Sequence, residues 1–213
     1  MESEPDLLHE CEKCYNNSPE WWGIDPEKAD VFYRTPTEVR QIRNKPGESG
    51  GHMLTEFYKW LDTHGWNVVL KESEELELDS SFRKRYKGIV KEYEEFLKRF
   101  KSVISKDETT WFLCSGEYMN QSDLAFKWNE FELQSLEAAE DDEEWKCAIV
   151  QWWDGKLPII MSVKGGYSFY AIDLKDNYGA IVRGEEPEYE ETEIVASDLN
   201  HFFQAVISGE IEI

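Results

Sequence analysis

From Leu157 onward the chain is a succession of short apolar runs separated by turns, and this limits the folds open to it more than any other feature. Leu157 to Val163 and Tyr167 to Leu174 flank Lys164-Gly165-Gly166, where glycine supplies the positive φ of a hairpin turn. Tyr178-Gly179 marks a second turn before Ala180 to Arg183, and an acidic loop, Glu185 to Glu191, leads to a further strand at Thr192 to Val195. Connections this short join antiparallel neighbours. Ser197 or Asp198 then caps a last helix with Leu199, Phe202, Phe203, Val206 and Ile207 on its apolar face.

Upstream, helical spacing takes over. Phe82, Tyr86, Ile89, Val90, Tyr93, Phe96, Leu97 and Phe100 fall on one side of a helix, with Lys, Arg and Glu on the other. Leu54, Phe57, Tyr58 and Leu61 predict another helix starting near Met53, followed by a short strand at Trp66 to Leu70. Thr109 to Cys114 reads as a strand, Ser115-Gly116 as a loop and Trp128 to Leu133 as a further segment. Leu136 to Trp153 fits a helix with an acidic first half, although Ala148 to Trp153 has strand-like composition. The first fifty residues are rich in turn formers, such as Asn16-Asn17-Ser18-Pro19 and Lys45-Pro46-Gly47. The expected architecture is α+β: a mainly antiparallel sheet of about five to six strands flanked by helices. Residues 1–75 would form an irregular N-terminal extension with a helix and a short strand, and residues 76–213 the domain proper.

Charge restricts the partners. The formal net charge is −22, with 45 acidic against 23 basic side chains, which disfavours nucleic acid and anionic membranes and favours a basic protein. Gly184 to Ile213 carries nine carboxylates and no Lys or Arg, so acidic surface should gather there. Aromatics at 14% rule out a chain too polar to fold. No apolar run approaches the length of a membrane span, and the N-terminus has no signal-peptide pattern, so a cytoplasmic location is expected. Cys114 and Cys147, inside apolar stretches, suit reduced thiols packed as small hydrophobes.

Signs of catalysis are sparse. His9, His52, His64 and His201 belong to no zinc-protease or nucleophile-elbow pattern. Cys11 and Cys14 with His9 offer three metal ligands, but the second half that tetrahedral zinc needs is missing. The runs Glu140 to Glu144 and Glu185 to Glu191 lack the alternating oxygen ligands and central glycine of a calcium loop. No cofactor is expected. A solvated acidic face explains such runs, and so does a surface that imitates a phosphate backbone to a basic protein. The adjacent pairs Trp21-Trp22 and Trp152-Trp153 cannot both face inward, so one ring of each is a candidate interface anchor.

The run Leu157-Pro158-Ile159-Ile160, Gly165-Gly166-Tyr167, Tyr170-Ala171-Ile172-Asp173-Leu174, Gly179-Ala180-Ile181-Val182 and Val195-Ala196-Ser197-Asp198-Leu199 through Phe202-Phe203 resembles the C-terminal half of the SUKH superfamily. These are the domains shared by a fungal cell-wall assembly regulator and many bacterial immunity proteins. The resemblance implies an α+β domain with a sheet-lined cleft that binds other proteins, in bacteria a toxin, often a nuclease. Residues 1 to about 75 lie outside it.

The reading that follows is a non-enzymatic immunity protein that captures a basic toxin domain. Candidate contact residues, chosen on position and chemistry, are Tyr118, Asp123, Trp128, Glu130, Asp141, Asp142, Trp152, Asp154, Tyr170, Asp173, Glu186 and Glu188. Two rivals are a regulatory scaffold, with the N-terminal extension as a second contact surface, and a small hydrolase using carboxylates around a divalent metal.

Overall fold

A computed structural model describes residues 49–121 and 126–213. Among them, α1 (Ser49–Thr63), β1 (Asn67–Leu70), α2 (Ser80–Arg85), α3 (Lys91–Arg99), β2 (Phe100–Ile104), β3 (Thr110–Phe112) and α4 (Ser115–Tyr118) come first. Then follow α5 (Glu130–Ala138), α6 (Glu143–Trp153), β4 (Lys156–Ser162), β5 (Ser168–Asp173), β6 (Ile181–Glu185), β7 (Glu193–Ala196) and α7 (Leu199–Ser208). The expected α+β class holds, with seven strands in place of five to six. They lie in sequence order, β1 to β7, each antiparallel to the next.

Both faces of the sheet are covered at its centre, while no residue of the edge strands β1 and β7 is buried. Neighbouring residues on a strand point to opposite faces, so Trp111 and Phe112 on β3, like Phe169 and Tyr170 on β5, mark the two sides. On one side Phe112 meets Phe57 of α1 and Phe96 of α3, while Phe57 stacks on Phe203 of α7 with ring centroids 4.0 Å apart. Tyr170 packs against Phe202 of the same helix. On the other side Trp111 meets Phe126, and Phe169 meets Phe131 of α5 and Trp153 of α6. Covered on both faces, β4 is buried at every position.

α1 and β1, expected within the extension, belong to this assembly: β1 pairs with β2, and α1 packs on α7 through Phe57. The long helix expected from Phe82 to Phe100 is two helices. Gly88 between them takes φ +78°, and Tyr178 donates its hydroxyl hydrogen to the Gly88 carbonyl at 2.6 Å. Phe100 then opens β2 in place of closing a helix. The stripe nonetheless faces the core, since Phe82, Tyr86, Tyr93, Phe96, Leu97 and Phe100 are all buried. Leu136 to Trp153 is helical as favoured, split between α5 and α6. α7 starts on Asp198, whose carboxylate accepts the His201 N–H, and ends on Gly209 at φ +78°.

Candidate functional site

The twelve residues expected to contact a partner divide by burial. Tyr118, Trp128, Tyr170 and Asp173 are buried and serve the core, so they are corrected from contact residues to structural ones. The Tyr118 hydroxyl lies 2.6 Å from both the Tyr93 hydroxyl and the Pro158 carbonyl. Trp128 stands edge-on to Phe82 and Tyr86. Asp173 accepts the N–H groups of Lys175, Asp176 and Asn177 and sits 3.3 Å from the Lys156 ammonium. Glu130, Trp152 and Asp154 are half-buried, and Asp141, Asp142, Glu186 and Glu188 are exposed. Asp123 lies outside the described residues, as do Cys11, Cys14, Trp21 and Trp22.

Of the pair Trp152-Trp153, Trp153 is buried and Trp152 leans edge-on against it, with the Lys156 ammonium 5.3 Å from the Trp152 ring centroid. Among the described residues the exposed indole is Trp145 at 51%, a residue outside either adjacent pair.

The acidic β6–β7 loop is fastened to the α5/α6 side by two side chains that sequence reasoning passed over. Tyr189 is buried, stacks on Phe131 at 4.7 Å and donates its hydroxyl hydrogen to Gln134 Oε1 at 2.8 Å. Glu190 accepts the Trp153 indole N–H at 2.7 Å. With the loop held this way, Glu185, Glu186, Glu188 and Glu191 remain exposed. The Tyr189 phenol is pushed up to about 12, first by burial and then by the neighbouring charge of Glu186, Glu190 and Glu130 and by Tyr167. Expected residues Glu130 and Glu186 thus both act on this phenol through their charge. The signal was a lone aromatic inside a carboxylate run.

A second acidic group sits at the other end of α6. Asp142 caps the helix, accepting the N–H groups of Glu144 and Trp145, and Asp141, Glu143 and Glu144 are exposed beside it. From Trp145 to Trp153 is about 12 Å along the axis at the ordinary helical rise. Both groups therefore flank one helical layer.

That layer is tied to α2 by a guanidinium. Arg85 donates from Nη1 and Nη2 to the two oxygens of Glu132 at 2.8 and 2.6 Å, and from Nε to Asp154 at 2.7 Å. The Glu132 side chain has no exposure. Burial pushes its carboxyl up, and the bonds from Arg85 offset part of that. The guanidinium carbon also lies 5.3 and 5.8 Å from the Tyr86 and Trp128 rings.

Other reactive-looking groups are structural. Ser197, Asp198 and His201 cluster at the start of α7, but the same Nδ1 faces both the serine at 3.1 Å and the carboxylate at 2.6 Å, which is not a proton relay. Cys114 is a free thiol with no exposure, and burial and the charge of Glu117 push it up, away from the reactive thiolate. Cys147 is half-buried on α6. Among the described residues no group of three or more His, Cys, Asp or Glu could hold a metal ion, and no helix is long and apolar enough to cross a membrane. No protein-family model, curated protein or solved structure matches the chain.

Proposed function

We propose that this chain is a cytoplasmic protein-binding domain of the SUKH type, an immunity protein that holds a basic toxin domain against its α5/α6 layer. The supporting observation is the β6–β7 loop: Tyr189 and Glu190 fix its backbone while Glu185, Glu186, Glu188 and Glu191 stand in solvent. A loop anchored by a buried ring loses little freedom on binding, so its charge is pre-positioned for a partner. Carboxylates spaced along a fixed backbone offer a basic cleft the same anionic pattern that a nucleic acid would, and a nuclease so occupied is blocked. Attraction at distance should also steer encounter.

A toxin gene beside that of this chain is the first expectation, and the test pairs the full chain with the toxin domain such a gene encodes. Stoichiometric suppression of the toxin is expected, with an association rate that falls at least about tenfold between low and roughly 0.5 M salt as the charges are screened. A salt-insensitive rate removes the electrostatic mechanism, and a toxin that stays active at equal concentration removes the function.

A further inference from the structure

α6 carries one apolar stripe. Ile149 and Trp153 are buried on it, whereas Trp145, four and eight residues earlier, is half in solvent. Its backbone is fixed, since Asp142 Oδ1 accepts the Trp145 N–H at 3.0 Å. Among the described residues its ring has no stacking partner and its indole N–H no acceptor. Helical side chains lean toward the N-terminus, and that is the end of α6 where Asp141 and Asp142 stand. Glu143 is engaged by Lys146 at 3.0 Å, and Asp141, Asp142 and Glu144 are further exposed carboxylates at the start of α6.

An indole face attracts a cation, and a carboxylate beside it can accept two hydrogen bonds from the planar fork of a guanidinium, a geometry an ammonium does not match. The fold already uses this combination internally. Arg85 lies 5.8 Å from the Trp128 ring centroid while its nitrogens bond both oxygens of Glu132. At the start of α6 the chain supplies ring and carboxylates but, among the described residues, no guanidinium. We infer that Trp145, with Asp141 and Asp142, is the anchor for an arginine side chain of a basic partner protein. The inference rests on the proposed capture of such a partner and names one of its contacts.

The experiment uses the full chain with oligo-arginine and oligo-lysine peptides at low salt. Caesium ion should quench a part of the tryptophan emission that Trp145→Phe lacks, and iodide should quench it far less, because the ring sits in negative potential. Oligo-arginine should shift the Trp145 indole N–H resonance, identified by its loss in Trp145→Phe. It should bind at least about threefold more tightly than oligo-lysine, and about fivefold more weakly to Trp145→Ala. Asp141→Asn should weaken it as well, while the N-cap at Asp142 stays intact. An indole that caesium cannot reach, whether covered by another part of the chain or by a second copy, overturns the inference. So does arginine binding that leaves the Trp145 resonance unmoved, although the basic-partner reading then stands. Failure of both peptides to bind anywhere removes both.

Discussion

Gly184 on β6 pairs with Phe169 on β5, and a Cβ at that position would lie 2.5 and 2.7 Å from two carbons of the Phe169 ring and 2.8 Å from the Tyr189 carbonyl oxygen. Neither neighbour is free to give way. Phe169 is wedged against Trp153 and Phe131, and Tyr189 is the residue that pins the acidic loop. Gly184→Ala should therefore cost about 1–3 kcal/mol, the usual price of overpacking, and lower the melting temperature by roughly 3–10 °C. Thermal unfolding followed by circular dichroism measures it, and an unchanged midpoint would contradict the close approach. The effect should reach function too, because lifting Tyr189 loosens Glu186 and Glu188.

At the scale of elements, helical spacing records which residues are buried but not whether one helix carries them. Phe82 to Phe100 kept its burial although Gly88 turns the chain midway, and β2 hid behind the same pattern because its first residue, Phe100, extends the stripe. Local signals were legible where they are complete: the β4–β5 hairpin around Gly165-Gly166, and α7 between Asp198 and Gly209. The exposed carboxylates of the candidate surface were legible from charge density. Trp145 and Tyr189 were not, since their roles depend on where α6 ends relative to the sheet and on what lies under the loop. Long-range pairs are likewise invisible in sequence, and Arg85 with Glu132, 47 residues apart, is the main one. Arg85→Met leaves the fully buried Glu132 without its cation, so a loss of about 3–5 kcal/mol is expected. Arg85→Met with Glu132→Leu should recover much of it, because the residual cost of a buried charge disappears. A double-mutant cycle in urea decides; a single variant as mild as a surface change would mean that the tie does not hold α2 to α5.

Over the whole molecule the carboxylates act in opposing directions, and their balance sets the pH of greatest stability. Burial raises the Asp173 carboxyl, but the N–H groups of Lys175, Asn177 and Asp176 and the charge of Lys156 outweigh it and hold the group below its ordinary value. Asp198 is depressed in the same manner, its burial outweighed by bonds from His201. A depressed carboxyl contributes stability that is present above the unfolded value, about 3.9, and is lost as pH falls through the folded one. Glu117 is opposite: burial raises it, more than the Cys114 N–H lowers it. Its folded form holds a proton that the unfolded chain has released, so stability falls as pH rises from about 4.3 through the folded value. A net charge of −22 adds self-repulsion that grows along the same limb. The melting temperature should therefore peak near about pH 5 and decline on both sides. Roughly 0.5 M salt should flatten the part of the alkaline decline that comes from repulsion, and Glu117→Gln the share of the burial part that Glu117 holds beside Glu132. Melting curves from pH 3 to pH 8 separate the two: a decline indifferent to salt assigns the loss to the buried carboxyls Glu117 and Glu132, whereas stability rising steadily to pH 8 would contradict both causes.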